Sequence, residues 1–253
     1  MFLGMSLFAG KKLLGWPRTV RLFGLTWAVA FLCEYSSTRV GFPFGDYFYT
    51  GSTIGEELYF SNIPFMDSLS FSFLLFASYS LALGFVLPPV PQKDAKVAWA
   101  FDSASRISWP IVVLTVLFFT FIDIVIDPIA LQGDRWFLGQ IYGYPHEGIY
   151  FGVPLANFAG WAVVGSISML GYRWMEQAWY QKQPVPRSIV GPEVLWGIGL
   201  YYGVLAFNLG VTFWIGEMFL GVVGCLIFLP ITVLLVLRWW TISRNPWEIS
   251  PES

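Results

Sequence analysis

The sequence is poor in the residues on which soluble enzymes and metalloproteins depend. Charged residues make up only 12% of its 253 residues, about half the share of an ordinary soluble domain. It has two cysteines, Cys33 and Cys225, and a single histidine, His146, so we expect neither a disulfide framework nor a metal site. The formal net charge of −2 offers no basic surface for nucleic acid, and we predict no nucleic-acid partner.

Apolar residues are abundant instead, at 56% of the chain, with 19% aromatic. They occur in long blocks, and a helix needs about 20 such residues to cross the hydrocarbon core of a bilayer. The pattern predicts an all-α, polytopic transmembrane helix bundle, a single integral membrane domain over residues 1–253. We expect about six spans, near residues 20–40, 64–87, 107–127, 151–172, 194–209 and 211–237, with a tight turn at 208–210. The first ten residues are apolar but too short to span, which predicts an interfacial segment.

The distribution of Lys and Arg predicts the orientation of these spans. With the N-terminus inside, twelve of the fourteen basic residues fall in cytoplasmic segments, and only Arg39 and Arg135 lie outside. This agrees with the positive-inside rule and predicts that both termini are cytoplasmic.

Acidic and amide side chains gather near the non-cytoplasmic ends of the predicted spans. Asp123 and Asp127 are four residues apart, so they share one face of a helix. A carboxylate within a span is costly unless it is solvated, paired or used. We therefore predict a reaction site at this end, closed over by the outer loops 41–63 and 128–149. The other polar residues near span ends are Glu34, Asp67, Asn157, Asn208 and Glu217.

Each acid also has a structural alternative. Asp127 precedes Pro128, where it could simply end the helix, whereas Asp123 falls one turn deeper. Glu34 is either catalytic or paired with Arg39. Asp67 and Glu217 are interpreted as structural or pore-lining, and Asn157 as a residue that orients water or a carboxylate or bridges two helices.

The first outer loop surrounds Asp46 with aromatic residues, in the run F-P-F-G-D-Y-F-Y at 42–49. An aspartate in poorly hydrated surroundings can hold a proton near neutral pH, and aromatic faces stabilise a passing carbocation. The alternative is an aromatic belt at the membrane interface with one solvated acid.

Two segments resemble signatures of the carotenoid biosynthesis membrane-protein family, which includes carotenoid 1,2-hydratases acting on γ-carotene and on bisanhydrobacterioruberin. The run at 42–49 resembles its Phe-Gly-x-Tyr-x-Tyr signature. Asp127-Pro128 together with G-I-Y-F-G-V-P-L-A-N-F-A-G-W at 148–161 resembles the second, and the similarity spans roughly residues 30–175. Where the family pattern has Gly-Val-Pro at the second span, this chain has Asn62-Ile63-Pro64, which leaves the substrate open.

The resemblance implies an enzyme that hydrates the terminal C1=C2 double bond of an acyclic carotenoid, without a cofactor or metal. An acid protonates C-2, a tertiary cation forms at C-1, and water captures it. We expect Asp46 or Asp123 as the acid, and Asp127 or Glu34 to position the water. The expected substrate-binding residues are Phe44, Tyr47, Tyr49, Tyr150, Asn157 and Trp161. Expected partners are the carotenoid, water, membrane lipids and other carotenogenic enzymes, in the bacterial cytoplasmic membrane.

Two alternatives stay open at this point. A carotene cyclase uses the same cation but closes a ring, and G-E-E-L-Y-F at 55–60 resembles an acidic motif of membrane-integral lycopene cyclases. The second alternative is a non-catalytic carotenoid-binding or transport protein, which a faint internal repeat would fit. The segment 59–67 is similar to 150–157 if one extra residue is allowed before the proline of the first copy.

Overall fold

The computed structural model describes residues 1–90, 98–102, 104–180 and 188–244, and the predicted cytoplasmic residues Lys93, Lys96, Lys182 and Arg187 lie outside these ranges. The described residues form seven α-helices and six short strands. The helices are α1 Phe2–Leu14, α2 Trp16–Val40, α3 Phe65–Val86, α4 Trp109–Ala130, α5 Leu155–Tyr180, α6 Pro192–Trp214 and α7 Met218–Arg244. The strands are β1 Phe48–Tyr49, β2 Tyr59–Phe60, β3 Ile63–Pro64, β4 Trp99–Phe101, β5 Tyr142–Gly143 and β6 Ser188–Val190. The predicted all-α polytopic bundle is confirmed.

Helices α3 to α7 provide, within the described ranges, five helices long and apolar enough to cross a membrane. Helix α2, the first predicted span, has 25 residues, or about 37 Å at the helical rise. It carries Arg18, Arg21, Glu34 and Arg39, and it is less apolar than the other five. Its crossing of the bilayer therefore stays a prediction.

Two predicted helix ends were wrong. Helix α4 continues through Asp127 and Pro128 to Ala130, and the Leu131 N–H still bonds to the Asp127 carbonyl at 3.1 Å. Asp127 therefore does not end the helix. The turn between α6 and α7 lies at 215–217 instead of 208–210. Asn208 stays helical, with its Nδ2 donating to the Val204 carbonyl at 2.9 Å.

Helix α3 is the centre of the bundle. It buries fourteen of its 22 residues and packs against α2, α4 and α6, while α5 covers α2 and α4. Helix α1 packs against α6, α2 and α3 and buries part of its length, so the first residues belong to the bundle. Their place at the membrane interface stays a prediction. A Cβ at Gly10 would lie 2.8 Å from the Thr19 methyl, which shows how closely α1 approaches α2.

The two predicted outer loops meet over one end of this bundle. Strand β1 of the first loop pairs antiparallel with β5 of the second, with Tyr49 opposite Tyr142 and Phe48 opposite Gly143. The Thr50 N–H extends the ladder to the Ile141 carbonyl at 2.8 Å. The pairing brings the aromatic side chains of both loops together above the helix ends.

Two hairpins with the same design lead into α3 and α5. Strands β2 and β3 form the first, which turns at Ser61 with φ of 60°. In the second, Tyr150 pairs with Val153 around Phe151, whose φ is 50°. Aligned on the proline before each helix, the two segments match without the extra residue that the sequence comparison required. A polar residue follows each proline by three positions: Asp67 after Pro64, and Asn157 after Pro154.

Candidate active site

A cavity of about 500 Å³ lies beneath the paired loops, within the size range of small-molecule sites. Helices α2 to α6, the start of α1 and both loops line it. Part of its lining is apolar and includes Phe2, Phe73, Leu74, Ile126, Val204 and Phe207. The rest is polar and aromatic, and includes Glu34, Tyr47, Tyr49, Glu56, Glu57, Asp67, Asp127, Tyr142, Tyr144, Asn157 and Asn208.

The first polar group of the cavity joins Glu34 of α2 to Asp67 of α3 through Tyr49. The Tyr49 hydroxyl lies 3.0 Å from Glu34 Oε1 and 2.6 Å from Asp67 Oδ2. Ser68 donates a hydrogen bond to Glu34 Oε2. Asp67 and Ser68 reach this point because the hairpin before α3 starts the helix beside α2, and β1 holds Tyr49 above both carboxyl groups. We call Glu34, Tyr49 and Asp67 the first acid group.

The second polar group is centred on Asp127 of α4. Its carboxylate accepts hydrogen bonds from the Tyr142 and Tyr144 hydroxyls, the latter at 2.7 Å, and from Asn157 Nδ2 at 2.8 Å. Asn157 lies in the first turn of α5, where the second hairpin places it against α4. The interpretation of Asn157 as a residue that orients a carboxylate agrees with these contacts.

Asp123 lies one turn deeper than Asp127. Asn157 Nδ2 also donates to its Oδ2, at 2.8 Å. Asp123 is fully buried, its Oδ1 has no hydrogen-bond partner within the described ranges, and it is not among the described residues that line the cavity. The predicted shared helical face of the two aspartates is therefore present, but only Asp127 reaches the cavity.

Four tyrosines from the two loops lie between the acidic groups. The ring centroids of Tyr47 and Tyr49 are 5.4 Å apart, and Tyr47 lies 6.3 Å from Tyr142 and 6.4 Å from Tyr144. Burial raises the pKa of the Tyr49 hydroxyl, and the Asp67 and Glu34 carboxylates raise it further. Burial, followed by the Asp127 carboxylate, likewise raises the pKa of Tyr142 and Tyr144. All of these hydroxyls therefore remain hydrogen-bond donors at neutral pH.

The predicted aromatic binding residues divide into two sets. Phe44, Tyr47, Tyr49 and Trp161 line the cavity with Asn157, and Trp161 stacks on Phe71 with 4.3 Å between ring centroids. Tyr150 lies outside this lining and packs against Phe151 and Phe158.

Two predictions about acids do not fit the structure. Asp46 is exposed and lies outside the described cavity lining, so its surroundings are not the poorly hydrated ones expected from its aromatic neighbours in sequence. The predicted Glu34–Arg39 pair is not formed. Arg39 bonds instead to the Tyr35 carbonyl at 2.9 Å and to Asn62 at 3.0 Å, because residues five apart lie on different helix faces.

Sequence reasoning also underrated several site residues. Asp67, interpreted as structural or pore-lining, is part of the first acid group. Tyr142 and Tyr144 were not singled out, although Tyr-x-Tyr at 142–144 repeats the Tyr-x-Tyr at 47–49 in the other loop.

Glu217 does not line the cavity as described, and it pairs with Arg135 at 2.8 Å. No group of three or more His, Cys, Asp or Glu side chains within the described ranges is arranged to hold a metal ion.

The fold and the cavity define a class: a helical bundle whose long apolar helices can cross a membrane, with an internal cavity lined by aromatic, aliphatic and acidic side chains. The sequence model of the carotenoid biosynthesis proteins matches residues 1–231. The chain therefore belongs to the carotenoid biosynthesis protein family and acts in carotenoid biosynthesis. No curated protein and no solved structure matches the chain.

Proposed function

We propose that the protein hydrates the terminal C1=C2 double bond of an acyclic carotenoid end group. The observation that carries the proposal is the joining of two hydrogen-bonded acidic groups, Glu34–Tyr49–Asp67 and Asp127–Asn157, in one aromatic cavity. An apolar cavity with a few convergent polar groups is the usual form of a site for a small apolar substrate.

The chemistry requires an acid, a surface for a cation and a base. A protonated carboxyl group gives its proton to C-2, the electron pair of the double bond forms the new C–H bond, and C-1 becomes a tertiary cation. The faces of Tyr47, Tyr49 and Trp161 favour that cation. Water then bonds to C-1 and gives its extra proton to a second carboxylate. The product is a tertiary alcohol, and no electrons are gained or lost.

The exposed rim of the cavity supports a substrate dissolved in the bilayer. Phe137 and Phe207 line the cavity and are 59% and 39% exposed, on a bundle that we place in the bilayer. An end group bound in the cavity can leave the remaining polyene in the bilayer. We place the protein in the bacterial cytoplasmic membrane as one domain with both termini in the cytoplasm, as its Lys and Arg distribution predicts.

A carotene cyclase is the second candidate, and one observation favours it. Glu56 and Glu57, from the segment that resembles an acidic cyclase motif, line the same cavity. Glu57 accepts a hydrogen bond from the Met66 N–H at 3.0 Å, which fixes it at the start of α3. A cyclase would form the same cation and lose a proton after ring closure, so its product would be an isomer of the substrate.

The test is expression of the chain in cells that accumulate lycopene, with the pigments separated and weighed by mass spectrometry. Hydration adds the mass of one or two waters, and an isomer with a ring would support the cyclase instead. Unchanged lycopene, with the protein present in the membrane fraction, would contradict action on this substrate. Glu147→Gln, an exposed acid of the second loop, serves as the control variant.

A further inference from the structure

The two acidic groups differ in their supply of hydrogen-bond donors, and the difference assigns their roles. Resting on the proposed function, we infer that Asp67 delivers the proton to the substrate from the first acid group, whereas Asp127 accepts the proton of the attacking water. Asp127 keeps its expected place at the water, whereas the acid is Asp67 instead of Asp46 or Asp123.

The first acid group contains two hydrogen-bond contacts at the Tyr49 oxygen but only one tyrosine hydrogen to make them. The Tyr49 hydroxyl carries a single hydrogen, yet its oxygen lies within hydrogen-bond distance of Glu34 Oε1 and of Asp67 Oδ2, at 3.0 and 2.6 Å. It can donate to only one of them. The other oxygen–oxygen contact needs a hydrogen on the carboxyl group, so the group holds a proton that Glu34 and Asp67 share through Tyr49. Asp67 is partly exposed as a residue whereas Glu34 is buried, and Asp67 delivers the proton into the cavity.

The second group is fully supplied with donors. Asp127 accepts hydrogen bonds from two tyrosine hydroxyls and from one N–H of Asn157. Hydrogen bonds from three donors are the surroundings of a charged carboxylate. Asp127 is therefore ionised before the reaction and ready to take a proton from water.

Asp123 acts through Asn157 and does not touch the substrate. It takes the second hydrogen of the Asn157 amide, which fixes the orientation of that amide and hence the N–H directed at Asp127. Because Asp123 is fully buried and lies outside the described cavity lining, it is a positioning residue.

The proton balance closes over one turnover. Asp67 loses a proton to C-2, and Asp127 gains one from the water that bonds to C-1. Transfer of that proton from Asp127 to the first acid group restores the starting state. The Tyr142 and Tyr144 hydroxyls at Asp127 and the Tyr47 and Tyr49 hydroxyls, 3.4 Å apart, lie between the two groups, and water in the cavity would complete the path.

Deuterium exchange separates the two roles. Purified protein in lipid vesicles is incubated with lycopene in D₂O, and both alcohol and recovered substrate are analysed by mass. We expect Asp127→Asn to form at least tenfold less alcohol, a loss that corresponds to about 1.4 kcal/mol. The same variant should still label the recovered lycopene, because the cation forms and returns a proton to Asp67. Asp67→Asn should abolish both alcohol and label. Deuterium in the lycopene recovered from Asp67→Asn would overturn the assignment. So would unlabelled lycopene from Asp127→Asn when wild type gives labelled lycopene or alcohol.

A second measurement does not depend on turnover, so it separates failure of the assignment from failure of the proposed function. Infrared difference spectra of purified protein compare wild type with each variant. In the difference spectrum of Asp67→Asn or of Glu34→Gln we expect the carbonyl band of a protonated carboxyl group, which shifts in D₂O. In the difference spectrum of Asp127→Asn we expect only carboxylate bands. Only carboxylate bands in all three would overturn the assignment, whatever the product of the wild type. Glu147→Gln is the control, and Asp67→Glu, which keeps an acid, controls for folding.

Discussion

The side-chain amide of Asn157 donates one hydrogen to each of two aspartates that lie a helical turn apart on α4. Both distances, to Asp123 Oδ2 and to Asp127 Oδ2, are 2.8 Å. One amide thus joins a residue of the cavity to a residue behind it. Because Asn157 lies in the first turn of α5, this bridge also fixes the start of α5 against α4.

Asn157→Leu tests that bridge. It removes both hydrogen bonds and leaves Asp123 without its one described partner, so the free energy of unfolding should fall by about 2–4 kcal/mol, with a corresponding loss of Tm. Thermal unfolding in detergent, followed by circular dichroism, measures the change. Asn208→Leu is the matched variant, since among the described residues its Nδ2 bonds only to the backbone of its own helix. Equal losses in the two variants would contradict the bridging role.

Gly160→Ala tests the packing that shapes the cavity wall. A Cβ at Gly160 would overlap the ring of Phe44, which is 3% exposed and lines the cavity. The ring must move, and we expect a loss of about 1–3 kcal/mol of stability together with reduced conversion of the carotenoid. Gly199→Ala on α6 is the control, because nothing lies within 4 Å of its added Cβ. Unfolding midpoints and pigment yields should fall only in the first variant, because Ala is the better helix former wherever its Cβ has room.

The raised pKa of the loop tyrosines predicts the alkaline limit of stability. A phenol of the unfolded chain ionises near pH 10, whereas burial and neighbouring carboxylates raise the pKa of Tyr47, Tyr49, Tyr142 and Tyr144 in the folded protein. Above that pH the unfolded chain has released protons that the folded protein still holds, so stability falls as pH rises. Below pH 10 this contribution is fully present.

Tyr142→Phe should therefore reduce the slope of stability against pH between about pH 10 and 11. Denaturant unfolding at each pH measures the slope, and absorbance of the phenolate checks the ionisation directly. Tyr35→Phe, at an exposed ring, controls for the loss of a hydroxyl. An identical slope in wild type and Tyr142→Phe would show that Tyr142 ionises as it does in the unfolded chain.

The opposite end of the bundle contains a buried ion group that the cavity does not use. Glu176 bonds to Arg18 at 2.9 Å and lies 3.4 Å from Arg106, whose side chain is 1% exposed. Glu176→Gln leaves buried cations without this partner, and we expect a loss of about 3–5 kcal/mol. Unfolding of the variant is compared with that of Glu147→Gln, an exposed acid. A loss as small as in that control would mean that the arginines are held by other contacts.

The sequence was sufficient for the parts of the fold and site that follow from helical periodicity. The apolar blocks located the long helices, and the spacing of Asp123 and Asp127 placed both on one face. The clustering of Glu34, Asp127 and Asn157 followed because alternate spans bring their ends together. These features depend on local geometry and on the order of the spans.

What the sequence could not supply depends on long-range contacts. Nothing local shows that β1 pairs with β5, yet that pairing brings Tyr142 to the cavity beside Tyr49. Asp46 and Tyr49 are three residues apart in one irregular loop, where no fixed period tells which side chain faces inward. The turn after α6 was misplaced because Asn208 resembles a helix end, whereas in the folded protein its side chain satisfies the helix backbone.

The most direct test of hydration is the source of the product oxygen. Purified protein in lipid vesicles is supplied with lycopene in water enriched in ¹⁸O, and the recovered pigments are weighed. The account predicts a tertiary alcohol that carries ¹⁸O, formed by wild type and by Glu147→Gln but not by Asp67→Asn. A product without ¹⁸O, or one with the same mass as lycopene, would contradict hydration.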